Sequence, residues 1–171
     1  HTTLNYNGQM TNQKGIHGFW ESRLPELYSD NYDFFVGKAT YIENPLETAW
    51  QIAEASFRAK DSVLNFEANL NTDFPSDKKY SYEEKGQQHN RVYSREYSDA
   101  YHGNLNGMVE RRMRESIKMI GSYWYTAWVN AGKPDLDKLI DGKLTKEMEI
   151  QLKEEEKMWK AGKIYGRSHP E

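Results

Sequence analysis

His17 and Glu21 stand four residues apart in the stretch Gly15-Ile-His-Gly-Phe-Trp-Glu21. On a helix that spacing puts an imidazole and a carboxylate on one face. Neutral imidazole and carboxylate are good ligands for a borderline ion such as zinc. The pair grips an ion from one side only, so a third ligand must come from elsewhere. His1 is the candidate, because the loop before His17 is long enough to fold back at about 3.3 Å per extended residue. Two His and one Glu leave at least one position open, which is the pattern of catalytic rather than structural zinc. The competing reading is a surface His–Glu pair that contributes a few tenths of a kcal/mol, with His1 an ordinary chain end.

Other residues have types that do chemistry, each with a plainer reading beside it. His89 and His102 fall in a polar loop and a short helix, where exposed or half-buried structural histidines are expected. His169 falls in the tail. Arg111, Arg112 and Arg114 in "ERRMR" form either a phosphate-binding cluster or a solvated helix face, the second being expected. Trp124, Tyr125 and Trp128 have the means to stack on bases, but at helical spacing they read as core. Trp20 is expected to pack behind the His17 helix.

Helices must position these groups. A short one is expected from Ile16 to about Tyr28, with a kink or stop near Arg23 because Pro25 falls inside it. A strong helix is expected over 44–70. Asn44 is its N-cap, Pro45 suits its first turn, and Glu47 stands at the third position. Trp50, Ala53, Phe57 and Leu64, with Ile52 and Val63, make its broad apolar face. Residues 69–91 read as a long polar surface loop. A shorter helix over 93–107 breaks around Gly103–Gly107. The longest clear helix is 108–132, with Val109, Met113, Ile117, Ile120, Trp124 and Trp128 on one face and Gly132 and Pro134 at its end. Gly121 within it permits close packing with another helix. The charge-dense stretch 144–171 carries a thin stripe of Met148, Leu152 and Trp159 and reads as a peripheral helix with a frayed tail. With no alternating strand pattern in view, the fold class expected is all-α, a helical bundle. Residues 1–132 form one domain portion and 133–171 a charged helix and tail.

Only 37% of residues are hydrophobic and the mean hydropathy is −0.98, which is polar for a chain that buries its own core. Either wide solvated helix faces lower the average, or part of the core is supplied from outside. The 13% aromatic content, with 12 Tyr and 5 Trp, argues against disorder of the whole chain. A net charge of −3 gives no general attraction to nucleic acid or acidic membranes. The lack of Cys excludes disulfides, thiolate nucleophiles and Cys-ligated zinc. No apolar run approaches the ~20 residues of a membrane span.

The order of motifs carries a resemblance. His1, then Asn7-Gly8, then His17-x-x-Trp20-Glu21, then Pro25-Glu26 resembles the middle of the zinc-dependent phospholipase C and single-strand-specific nuclease superfamily, the nuclease branch most closely. "SREYSDAY" (94–101) and "RRMRESIKMIGSYWYTAW" (111–128) are similar to that family's last helices, so the likeness covers roughly residues 1–130. The resemblance implies a mostly helical C-terminal portion of a larger zinc phosphodiesterase-like domain. His1, His17 and Glu21 would hold one zinc ion of up to three in the intact parent, and at most one is expected in this chain. The ligands of the other two would lie before residue 1. The implied chemistry is hydrolysis of a phosphodiester, in single-stranded nucleic acid or phospholipid, by the parent, with the fragment inactive alone. Asn5 or Asn7 would reach substrate from the loop. The family's members are typically exported, so a periplasmic or extracellular location is implied.

The alternative reading is a non-catalytic helical binding or scaffold module with an incomplete metal site. The partners expected are the phosphoester substrate in the parent, the absent N-terminal part of the domain, and other copies of the chain through exposed apolar helix faces. The chain begins with His rather than Met, as expected of a piece of a longer polypeptide.

Overall fold

The computed structural model describes residues 4–85, 88–140 and 142–163. It is mostly helical, and the chain divides into two compact units, His1–Asn130 and Ala131–Glu171.

The first unit begins with a loop that turns at Gly8, where φ is +66° and a Cβ would run into the Gln13 carbonyl. Only glycine fits so tight an approach with that backbone. Three segments then run on as one helical stretch, called α1: Ile16–Gly18, Phe19–Arg23 and Leu24–Tyr28. The middle one is π-helical, with the Leu24 N–H donating to the Phe19 carbonyl five residues back. Pro25 has no N–H to offer and its ring would press on the carbonyl four residues earlier. The widened turn just before it absorbs both effects, so the kink or stop expected near Arg23 is this π turn and helical backbone continues to Tyr28.

α2 (Pro45–Asp73) starts as its sequence dictates, the Asn44 side chain accepting from the Glu47 N–H at 3.2 Å. The expectation of a loop over 69–91 is overturned. Helix persists to Asp73, and β1 (Tyr80–Lys85) then pairs antiparallel with β2 (Gln88–Tyr93), Tyr80 opposite Tyr93 and Tyr82 opposite Arg91. Polar side chains hide this hairpin from an apolar-alternation rule. It is held by cross-strand contacts of Tyr80 and by an ion pair to α1 instead. The Tyr80 and Tyr93 rings lie 5.1 Å apart, the Arg91 guanidinium sits 4.5 Å over Tyr80, and the Glu83 carboxylate takes both ends of the Arg23 guanidinium at 2.6 and 3.1 Å. The helical class expected holds in its coarse form: among the described residues the fold is mostly helical, and its one sheet has two strands.

α3 (Arg95–Asn104) is capped by Ser94 and stops where Asn106 and Gly107 take positive φ. α4 (Met108–Asn130) follows at once. The core joins α1, α3 and the start of α4 through Phe19, Leu24, Tyr28, Tyr97, Tyr101, Leu105 and Val109. It is a tyrosine core, Phe19 stacking on Tyr93 at 3.8 Å and on Tyr101 at 4.9 Å. Its phenols find acceptors: Tyr97 gives to Glu67 at 2.7 Å, Tyr101 to the Val63 carbonyl at 2.8 Å, and Tyr28 to Asp99 at 2.5 Å. A core of this kind scores as polar, which accounts for part of the low mean hydropathy.

The face expected of α4 is not core along its length. Val109 is buried and Met113 packs on the cluster, but Ile120 and Trp124 are 53% and 74% exposed. Tyr125 is exposed as well, so the core reading of Trp124 and Tyr125 is corrected. Gly121 does allow a close approach, but its neighbour is Ala39 of an extended segment rather than another helix.

The second unit holds α5 (Asp137–Ile140) and α6 (Lys146–Lys160), the latter capped by the Thr145 hydroxyl. Met148, Leu152 and Trp159 are exposed on it. Among the described residues no helix is long and apolar enough to cross a membrane.

Candidate functional site

α1 brings His17 and Glu21 side by side, Nδ1 of one 3.6 Å from Oε1 of the other. The loop before them caps the helix. The first N–H groups of a helix lack intrahelical acceptors. Here Asn7 Oδ1 accepts from the N–H groups of Gly15 (3.1 Å) and His17 (3.3 Å), and the Gln13 carbonyl accepts from Ile16 (3.1 Å). The Tyr6 ring meets the His17 ring edge-on, centroids 5.3 Å apart. His17 is half-buried and Glu21 exposed.

Both residues line a cleft of about 460 Å³ between α1, α2 and α4. Ala53, Phe57, Val63, Leu64 and Met108 give it apolar walls, and Lys60 and Arg112 bring two cations. Lys60 pairs with Asp61 at 2.6 Å, and Arg112 pairs with Glu115 at 2.7 Å and bonds the Ser56 hydroxyl. Neither cation was singled out for this place by sequence, since α2 and α4 had to be juxtaposed first. Of the apolar residues expected on α2, Ala53, Phe57, Val63 and Leu64 wall this open cleft rather than a closed core, and Trp50 and Ile52 are exposed outside it.

A separation of 3.6 Å suits two donors of one ion, because tetrahedral zinc bonds of about 2.0–2.2 Å put neighbouring donors roughly 3.3–3.6 Å apart. The pair thus fits a chelate. Among the described residues no group of three His, Cys, Asp or Glu is placed to hold a metal. His1, the third ligand expected, lies outside the described residues, as does His169.

The other candidates disperse. The three arginines of "ERRMR" go to different partners: Arg111 to the Asn106 carbonyl, Arg112 to Glu115 and Ser56, Arg114 to Asp33 and Phe35. His89 is exposed on the hairpin, 3.8 Å from Glu84. His102 is half-buried, stacked 4.1 Å from Tyr28 and bonded at 2.8 Å to the Tyr32 hydroxyl. Asn5 lines the cleft but its side chain holds the loop, bonding Thr11 at 3.1 Å and the Met10 N–H at 2.7 Å.

One group that sequence reading passed over is Glu67. It is 1% exposed and accepts from Gln13 Nε2 (2.7 Å), Lys79 Nζ (2.9 Å) and Tyr97 OH (2.7 Å). Burial alone would raise its pKa, but these three hydrogen bonds and the Lys79 charge outweigh it and hold the carboxyl below its ordinary value. The signal was present: Glu67 falls four residues after Val63 and three before Leu70, an acid in the apolar register of α2.

No protein-family model, curated protein or solved structure matches the chain.

Proposed function

We propose that the chain is the C-terminal part of a zinc-dependent phosphodiesterase, with His1, His17 and Glu21 as ligands of one ion. The observation that carries this reading is the His17–Glu21 pair, its donors 3.6 Å apart on the wall of an open cleft. The motif order that resembles the zinc phospholipase C and single-strand-specific nuclease superfamily supports it. A bound ion would supply Lewis acidity toward a phosphate oxygen and lower the pKa of a bound water. The chain's own contribution is to orient. Asn7 caps the helix that aims His17, Tyr6 packs against its ring, and Lys60 and Arg112 bring positive charge to the cleft that a phosphoester would enter. The apolar walls would take the base of a single-stranded nucleic acid or the non-polar part of a phospholipid. The parent enzyme acts at the periplasmic or extracellular face.

The expected result is that the chain binds about one zinc ion, that His17→Ala and Glu21→Gln each weaken binding by tenfold or more, about 1.4 kcal/mol, and that the parent with zinc turns over either single-stranded DNA or a phosphatidylcholine analogue. No difference in zinc uptake between the chain and His17→Ala would rule out the site.

A second reading is a non-catalytic helical module. It is favoured by the exposed apolar side chains of α2 and α4, Trp50 at 68% and Trp124 among them, which suit a surface covered by further protein. The parent's upstream sequence separates the two, because the family resemblance implies a His-x-x-x-Asp pair of zinc ligands before His1 in the enzyme.

A further inference from the structure

Glu67 lies in α2, away from the chemistry proposed above, yet its contacts lead to it. One carboxylate oxygen, Oε1, faces the core and takes Lys79 and Tyr97. The other, Oε2, takes the side-chain amide of Gln13, which also gives to the Leu64 carbonyl at 2.7 Å. The N-terminal loop is thereby fastened to one turn of α2, the turn whose Val63 and Leu64 wall the cleft. Gln13 is the pivot of that loop. Its N–H gives to the Gly8 carbonyl at 2.8 Å, its side-chain oxygen accepts from Thr11 at 2.7 Å, and its carbonyl caps Ile16. From the same loop Asn7 caps Gly15 and His17.

We propose that Glu67 is a positioning residue: through Gln13 it holds the N-terminal loop so that Asn7 and Gln13 cap α1 and fix His17 beside Glu21. The part of this that concerns metal rests on the zinc reading above; the part that concerns the loop does not. The carboxylate suits the task because both of its oxygens must accept. In Glu67→Gln the carbonyl keeps Tyr97 and Lys79, and the new amide N–H then faces the N–H of Gln13. Gln13 cannot turn its own amide over to relieve this without setting its oxygen against the Leu64 carbonyl. The substitution therefore unfastens the loop while sparing the core side of the cluster.

The test is amide hydrogen exchange by NMR on the full chain and on two variants, Glu67→Gln and Gln13→Leu. The amides of Gly15 and His17 should exchange about five- to tenfold faster in both, as for one lost hydrogen bond, while Tyr101 and Val109 keep their protection in Gln13→Leu. Unchanged exchange at Gly15 and His17 overturns the proposal, and so does an equal loss at Tyr101 and Val109 in Gln13→Leu, which would mark a general weakening of the fold. Zinc titration is the second readout, with about tenfold weaker binding expected in both variants. Loosened loops with unaltered zinc affinity overturn the link to the pair. A wild-type chain that binds no zinc overturns the metal reading instead, and the exchange measurement still decides the role of Glu67.

Discussion

Two polar networks in the first unit solve opposite problems. Around Glu67 a single buried acid gathers donors from three other parts of the chain, the loop, the segment before β1, and α3. Along α4 the need belongs to a backbone. Residues 33–42 form neither helix nor strand, so their backbone N–H and C=O groups have no ladder to pair in, and Ile42 is buried, where an unmade bond is costly. α4 serves as their partner through side chains one turn apart. Arg114 and Lys118 donate to the Phe35 and Lys38 carbonyls, and Ser122 and Thr126 accept from the Thr40 (3.1 Å) and Ile42 (2.9 Å) N–H groups. The first network concentrates its charge on a carboxylate that is 1% exposed. The second divides the work among four rungs, two of them made by cationic side chains near solvent. Removing one member should therefore be severe in the first and graded in the second.

The sharpest way to break that contrast is Glu67→Leu. It leaves the Lys79 ammonium, whose side chain is 14% exposed, and the Tyr97 hydroxyl without their shared acceptor. The expected cost is about 3–5 kcal/mol, as for a buried pair that loses one partner, measured by urea unfolding. The acid dependence should change with it. A carboxyl held below its ordinary 4.5 contributes stability that is full above that pH and is lost as pH falls through the lower folded value. Glu67→Leu removes that share of acid sensitivity. A cost no greater than that of a variant on α4 would erase the distinction between the networks.

On α4 the largest loss should come from Thr126→Val, which keeps the shape and removes the acceptor of the Ile42 N–H. Both groups are buried, so about 1–3 kcal/mol is expected. Arg114→Ala removes an exposed ion pair to Asp33 and a donor to the Phe35 carbonyl, and should cost less than Thr126→Val. Urea unfolding of the two variants, compared with limited proteolysis within 33–42, checks the order. An Arg114→Ala loss equal to that of Thr126→Val would mean that the cationic rungs carry as much as the buried one.

The contrast also explains what could be read in advance. α2 was legible from Asn44-Pro45-Glu47, because a cap is a local device in which donor and acceptor are three residues apart. The end of α4 was legible for the same reason, in Gly132 with its φ of +83°. The His17–Glu21 adjacency followed from spacing alone. The hairpin was not legible, since its stability comes from Tyr80 against Tyr93 and from Glu83 on Arg23, pairs distant in sequence. Nor was the α4 ladder: Arg, Lys, Ser and Thr every fourth residue look like a solvated face until an extended segment is laid along them. Trp124 and Ile120 misled for the opposite reason. Their periodicity is that of a buried face, yet no described residue of the first unit covers them.

His102 offers the smallest effect and a separate pH window in which to test the same logic. It sits where α1 meets α3, stacked on Tyr28 and bonded to Tyr32, and burial holds its pKa below 6.5. Asp99 and Glu110 pull it up and Arg95 pushes it further down, so the opposing charges leave a modest net shift. The sign follows from which state takes the proton first. As pH drops below 6.5 the unfolded chain protonates before the native one, so stability is full above 6.5 and falls as pH moves toward the lower folded value. His102→Gln, which keeps a polar partner for Tyr32 and cannot titrate, should flatten the unfolding free energy as pH falls below 6.5. The loss owed to Glu67 should persist in that variant, because it appears only below 4.5. If the wild-type chain instead gained stability on acidification through 6.5, Asp99 and Glu110 would outweigh burial, and His102 would have to be regrouped with the cationic rungs of α4.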